Sequence, residues 1–421
     1  MSIAASENLS AEENFGAAPH ERPVPRISIH VFHMFPDTDA TARRAASDRR
    51  LSKAHTEIRE GGVSAAVVHY RENVTPNLLV VETEAQGQAV IAEIERLAEV
   101  CDEATKVVVV GRVNDVQLYR ELIRRGVSEY LVAPLNPLQF IETVANLYVK
   151  ADAPPIGRVV AFTGARGGTG ASTLAHNIGW FIAENLKINT AIIDLDLPFG
   201  TAGLDFNEDP TQGVADALAA PERLDDVLLD RLLIKCSDHL SLFAAPAMLD
   251  RLYEADESAY ETVIDQVRAS TPCVIVDLPH AWTAWSRQTI LAADDLVFVA
   301  TPDLASLRNT KNLFDLVRAS RPNDAAPRLV INQIGVPKRP EIPVKEFASA
   351  LGLEPSLVLP FDPHLFGTAA NNGQMLVEVQ ARSKVADGIR HLAELLTGRN
   401  IQHISRKGGR SILPFLQRKA G

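Results

Sequence analysis

The sequence predicts an α/β protein built from two doubly wound parallel-sheet domains. Strand-like and helix-like segments alternate along most of the 421 residues, the order that yields a parallel sheet with helices on both faces. The strand-like segments are continuous apolar runs, such as Leu78-Leu79-Val80-Val81 and Cys273-Val274-Ile275-Val276, as burial on both faces requires. A glycine-rich turn framed by Gly164 and Gly170 then separates one such run from a helical pattern. At this length about two to three domains are expected. The predicted boundaries are a disordered leader over 1–25, a first domain over 26–150, and a Pro-containing linker over 151–156. A second domain follows over 157–398, with a basic tail over 399–421.

Composition narrows the function classes. Apolar residues make up 46% and charged residues 23%, which is globular and sufficient for a core. No run of about 18 apolar residues offers a membrane span, and the N-terminus lacks a basic segment before an apolar core. A net charge of −11 argues against a protein that coats DNA. Cys101, Cys236 and Cys273 are isolated, read as buried apolar residues, and suit a reducing cytoplasm.

In the first domain, strands are expected at Ile27–His33, Val63–Tyr70, Leu78–Val81, Val107–Val110 and Glu129–Val132. Helices are expected over 40–60, 86–100, 116–125 and 138–148. Five strands in about 120 residues fit the flavodoxin-like order. Pro76 through Glu82 resembles the strand of a response-regulator receiver that ends in the phosphorylated aspartate, with Glu82 in its place. The acid pair after the first strand is replaced by Met34 and Phe35. Gly111 and Ala133 stand where a receiver has its hydroxyl residue and its lysine. Without these groups no Mg²⁺ is held and no acyl phosphate forms. The resemblance therefore implies a degenerate receiver kept for protein contacts, with Glu82 either a scaffold residue or a fixed negative charge.

The second domain opens on Val159–Thr163, passes through Gly164-Ala165-Arg166-Gly167-Gly168-Thr169-Gly170, and enters a helix with Leu174, Ile178, Phe181 and Ile182 on one face. Strand, glycine loop and helix N-terminus form a phosphate cradle of backbone N–H groups, although a bare tight turn has the same layout. A P-loop carries Lys and then Ser or Thr after its second glycine. Here Ala171 holds the lysine position and Ser172 follows. Two more buried-type strands end in acids, Asp194 with Asp196 and Asp277, where P-loop proteins manage Mg²⁺ and water. Further strands are expected at 240–244, 296–300, 328–331 and 357–359, with helices at 214–219, 260–268, 307–318 and 385–396.

At these residues the chain resembles the deviant-Walker, ParA/MinD-like P-loop ATPases, whose loop carries an extra cation that crosses a dimer interface. Ala171-Ser172-Thr173 and the run from Asp277 to Trp285 resemble the CpaE/TadZ branch, which serves Flp/Tad pilus assembly. The resemblance implies ATP or ADP with Mg²⁺ as cofactors and a homodimer that works with the pilus secretion machinery. Carried over by position, Gly167, Gly168, Thr169, Gly170, Ala171 and Ser172 supply N–H groups to phosphate, and Thr173 supplies a hydroxyl. Ser172, Asp194 and Asp277 hold the metal, and Asp196 positions water. Asn332, Pro360 and Asp362 lie beside the base, and Arg166 is the crossing cation, or else a surface arginine on a turn. His280, Trp282 and Trp285 read as packing residues rather than catalytic ones.

Two other functions stay open. A competent partition or division-site ATPase is opposed by Ala171, and a phosphorelay regulator by Met34, Glu82, Gly111 and Ala133. The tail places Arg399, Arg406, Lys407, Arg410, Arg418 and Lys419 around Ile412-Leu413-Pro414-Phe415-Leu416. It resembles a MinD-like amphipathic anchor, implying peripheral contact with the inner membrane or cell pole, and it equally fits a solvated end.

Overall fold

The computed structural model describes residues 24–148, 156–209, 212–246, 249 and 255–399. Most of the leader, most of the linker and nearly all of the basic tail lie outside them, but Val24, expected in the disordered leader, is buried and donates to Arg50 O at 2.8 Å. The described residues form two sheets. In the first, β1 (Ser28–His33), β2 (His55–Glu60), β3 (Leu78–Glu82), β4 (Lys106–Gly111) and β5 (Glu129–Val132) run in the order β2-β1-β3-β4-β5. Every pairing is parallel. Apolar clusters cover both faces, one around Val80 and Phe140 and the other around Val81 and Leu122.

Two expected elements of this sheet are corrected. Residues 40–60 are not one helix: a helix ends at Ala46, a 3₁₀ turn spans Arg49–Leu51, and His55–Glu60 is strand β2. Val63–Tyr70 lies in a helix, Gly62–Tyr70. Its β-branched residues look like a strand, but Gly61 and Gly62 turn the chain at φ of 113° and 58°, and the crossover between parallel strands claims the segment for a helix. The true strand is hidden because it lies at the sheet edge, where His55, Glu57, Arg59 and Glu60 can face solvent.

The second sheet comprises β6 (Arg158–Gly164), β7 (Thr190–Asp194), β8 (Ile234–Lys235), β9 (Leu240–Phe243), β10 (Cys273–Asp277), β11 (Asp295–Ala300), β12 (Arg328–Ile334) and β13 (Leu357–Pro360). Their order is β13-β12-β11-β6-β10-β7-β9-β8. All pairings are parallel except β8 with β9, a two-residue antiparallel edge too short to leave a pattern in the sequence. Strand β6 lies between β10 and β11, and the chain leaves it first toward β7 on one side and later toward β11 and β12 on the other. Such a reversal opens a crevice beyond the strand C-termini, where ligands of doubly wound sheets sit.

The 3₁₀ turn of the first domain is tied to the far end of this sheet. Arg49 donates to Asp294 and Asp324 at 2.9 Å each, Arg50 also pairs with Asp324, and Asn323 donates to Asp48 at 3.0 Å. Lys53 pairs with Asp265. Arg268 and Arg321 reach Asp294 and Asp324 from within the second domain.

The end of β3 shows what Glu82 does. Its buried carboxylate accepts from the amides of Met34 (2.7 Å) and Phe35 (3.0 Å), from the Thr38 hydroxyl (2.8 Å) and from Arg112 (3.2 Å). Four donors on one carboxylate leave it committed to holding the loop after β1. The first domain is therefore expected to take up no phosphate from acetyl phosphate and to show no spectral change with beryllofluoride and Mg²⁺. A stoichiometric phosphoryl adduct by mass spectrometry would contradict this.

Candidate functional site

The site is built at the C-terminal ends of β6, β7, β10 and β12. Gly164 lies six residues before Gly170, one more than P-loop spacing, so Ala165 holds the first glycine position and Gly164 ends the strand. The loop then turns through Gly168 (φ 78°) and Gly170 (φ 86°), a region open to glycine at little cost. Gly170 precedes the helix Ala171–Leu186, so the loop delivers its amides to a helix N-terminus.

The loop carbonyls are tied back one by one. Gly164 O accepts from His280 Nδ1 at 3.0 Å and Ala165 O from Asn309 at 2.8 Å. Gly168 O accepts from Gln333 at 2.9 Å and Thr169 O from Asn332 at 2.9 Å. None of the amides from Gly167 through Gly170 donates to a described residue. A loop whose carbonyls are held away and whose amides remain available suits an anion. His280 is thus a packing residue that holds the loop. Trp285 stacks on Tyr260, with centroids 4.1 Å apart, whereas Trp282 precedes the helix and is exposed rather than core.

The acids meet because of strand register. Asp277 pairs directly with Asp194 across β10 and β7. Asp194 is fully buried and accepts from the amides of Asp196 (3.0 Å) and Ala202 (3.2 Å). Burial, and then the charge of Asp277, push its carboxyl above the ordinary carboxylate range. Asp277 Oδ1 is buried with no hydrogen-bond partner. Asp196 is raised above the ordinary range by burial, and its carboxylate accepts from Phe199 N at 3.2 Å within a turn.

Other predicted residues are engaged locally. Arg166 is pinned to Asp303 by two bonds of 3.1 and 3.2 Å. Asn332 is buried, and both ends of its carboxamide are used, on Thr169 O and on Gln333 N. Asp362 caps the helix Pro363–Asn372 through Leu365 N at 3.0 Å, and Pro360 pairs with Ile334 beside it. Ser172 and Thr173 open the helix after the loop, half-buried.

One residue at the site escaped the sequence reading. His176 is fully buried, with Nδ1 2.6 Å from Asp205 and Nε2 3.4 Å from Asp277. Burial alone would lower its pKa, but the neighbouring carboxylates of Asp205 and Asp277 outweigh this and push the ring up to about 10. The available signal was its spacing: four residues past Ser172 is the same helix face.

Comparison with known proteins bears on this architecture. A family model described as cellulose biosynthesis protein BcsQ matches residues 158–339. A solved pilus assembly protein CpaE from Caulobacter crescentus is 52% identical, over 31% of this chain and 98% of that one, with a TM-score of 0.30. Identity at that level along almost the whole of a solved chain decides the family. The chain belongs to the CpaE-like ParA/MinD ATPases. A ParA family ATPase from Chlorobium tepidum is 25% identical over 56% of this chain and 98% of that one, with a TM-score of 0.51. The septum site-determining protein MinD of Synechocystis is 23% identical over 258 residues, 58% of this chain and 91% of that protein. Within this family, the loop, the paired acids and the switch-point crevice lie in the ATPase fold. Among the described residues no helix is long and apolar enough to cross a membrane.

Proposed function

We propose that this CpaE-like protein binds ATP and ADP and helps assemble a Flp/Tad-type pilus secretion machine, acting as an ATP-dependent dimer with weak or absent hydrolysis. The observation that carries nucleotide binding is the loop itself, with carbonyls tied back, amides from Gly167 to Gly170 available, and a helix N-terminus behind them. In this reading the amides through Ser172 and the Thr173 hydroxyl hold phosphate. The buried Asp277 oxygen without a hydrogen-bond partner fits a divalent cation, which Ser172, Asp194 and Asp277 would hold. Bound there, the cation would neutralise phosphate charge, and Asp196 would orient water. Asn332, Pro360 and Asp362 would border the base, Asn332 mainly by fixing the loop.

Dimerisation is supported by where apolar side chains are exposed. Phe199, Leu204, Trp282 and Leu304 all lie in segments that follow strand C-termini around the loop, and all are at least 60% exposed. Exposed apolar side chains at this end of the sheet suit an interaction surface. The pilus role rests on the relative from Caulobacter crescentus, a pilus assembly protein by its description.

Gly170→Ala tests the nucleotide reading. A Cβ there would lie 2.7 Å from Asn332 Nδ2, at a φ of 86° that costs a non-glycine residue about 1–2 kcal/mol. ATP and ADP affinity, measured by calorimetry, is expected to fall about tenfold or more. Equal affinity in wild type and variant would remove the loop from the binding site.

The tail is proposed as a peripheral membrane contact. Removing residues 400–421 is expected to abolish binding to anionic vesicles and spare nucleotide binding. Equal vesicle binding with and without the tail would contradict this.

A further inference from the structure

The strongest unassigned feature is the surroundings of His176. Two carboxylates from neighbouring strands, Asp194 and Asp277, and one imidazole from the helix Ala171–Leu186 place potential ligand atoms within 4.8 Å of one another. All three residues are buried, His176 and Asp194 completely. Asp277 Oδ1 has no hydrogen-bond partner, and His176 Nε2 makes none either, its nearest acid oxygen being Asp277 Oδ2 at 3.4 Å. A pair of acids alone would call for a hard cation such as Mg²⁺. The histidine changes the chemistry, because imidazole suits first-row transition ions, whereas Mg²⁺ favours oxygen donors and water.

The far side of the ring supports this. Nδ1 lies 2.6 Å from Asp205 Oδ2, so Nδ1–H donates to a carboxylate and Nε2 is directed at the acid pair. A histidine that binds a metal is commonly oriented this way, its second nitrogen donating to a carboxylate. Asp205 ends the short helix Ala202–Asp205, and Ala202 N donates to Asp194 at 3.2 Å. One small element thus positions both the histidine and one acid. Ligand atoms about 2.1 Å from a shared ion are roughly 3–4.2 Å apart in an octahedron and roughly 3.4 Å apart in a tetrahedron. From within 4.8 Å of one another, the three atoms would close by up to about 1.4 Å on a tetrahedral ion.

We propose that His176, Asp194 and Asp277 form a mixed nitrogen–oxygen site for a first-row transition divalent ion of the Mn²⁺ or Zn²⁺ class, bound in preference to Mg²⁺. The inference rests on the cation role given above to Asp194 and Asp277, and it does not require nucleotide. Binding replaces the proton on Nε2 with the metal, and that proton passes to solvent. Asp205 is a positioning residue that keeps the ring turned toward the acids.

The test uses the full chain, first stripped by chelator, titrated with Mn²⁺ alone and read by electron paramagnetic resonance. Wild type is expected to bind Mn²⁺ stoichiometrically without nucleotide and to show a nitrogen coupling in the pulsed spectrum. That coupling should change to its ¹⁵N form when only histidine is labelled. Zn²⁺ should displace the ion at equimolar concentration, whereas Mg²⁺ should require a large excess. His176→Gln should lower Mn²⁺ affinity at least tenfold and abolish the coupling. Asp205→Asn should weaken affinity while retaining it. If His176→Gln does not fold, the labelled wild type still decides. No histidine coupling in the wild type, or equal competition by Mg²⁺, overturns the proposal. ADP affinity measured on the same samples keeps the two readings apart: ADP binding without a histidine-bound ion sinks this inference alone, and loss of ADP binding with the ion retained sinks the nucleotide reading alone.

Discussion

Replacing Asp324 with alanine is expected to destabilise the protein by about 3–5 kcal/mol, the cost of leaving buried charge without its partner. Asp324 stands at the centre of the contact between the two domains. It accepts from Arg49 at 2.9 Å and from Arg321 at 2.6 Å, and Arg50 also pairs with it. All four side chains are largely buried, Arg49 the most accessible at 14%. Removing one carboxylate would therefore take a buried partner from three guanidinium groups, leaving Arg49 with Asp294, Arg50 with Asp48 and Arg321 with backbone carbonyls alone. Burial opposes ionisation of Asp324, but the charges of Arg49 and Arg321 outweigh it and hold the carboxyl below the usual range. A depressed folded-state pKa means that this stabilisation is complete above the unfolded value of about 3.9 and is lost as pH falls through the folded value. Urea titration at neutral pH is the check. A shift within about 0.5 kcal/mol of wild type would mean that the contact contributes little.

ATP turnover is expected to be about a hundredfold or more below that of a relative with lysine at position 171. A positioned cation lost from a transition state costs on the order of 3–4 kcal/mol, whereas backbone amides and the metal supply much of ground-state binding. Two basic side chains of the loop and its helix are already engaged by acids. Arg166 is drawn to Asp303, and His176 to Asp205 and Asp277. Restoring Ala171→Lys need not rescue turnover, because Ala171 is half-buried against the core that includes Leu174 and Ile178. Single-turnover measurements alongside calorimetric affinity separate the two quantities. Turnover at the rate of a lysine-bearing relative would contradict the expectation.

Much of this was legible in the sequence, for identifiable reasons. Central strands such as Cys273–Asp277 are buried on both faces and announce themselves as apolar runs. The acids at their ends follow directly, and register then brings Asp277 opposite Asp194. Edge elements were not legible. His55–Glu60 carries polar residues because one side meets solvent, and Val63–Tyr70 carries β-branched residues yet forms a helix. At the site, glycines and acids signal themselves by type, but the engagement of a side chain does not. Nothing in the sequence tells that Asn332 is spent on Thr169 O, that Arg166 rests on Asp303, or that Asp362 caps a helix. His176 was missed because its spacing from Ser172 marks the helix face but not the two acids that the ring meets there.

In the proposed ATP-dependent dimer, Arg166 is the cation that would join the two copies of this chain. Arginine keeps its charge and offers a planar fork suited to a phosphate oxygen pair. To cross to a partner it must release Asp303, where two bonds now hold it. Dimerisation should therefore require the γ-phosphate as the competing anion, and ADP should leave the chain monomeric. Sedimentation velocity of wild type and Arg166→Ala without nucleotide, with ADP and with ATP is the most direct measurement. Wild type should dimerise with ATP alone, and Arg166→Ala should remain monomeric while binding ADP normally. An assembly state in wild type that ignores nucleotide, or a variant that dimerises as readily with ATP, would contradict the claim.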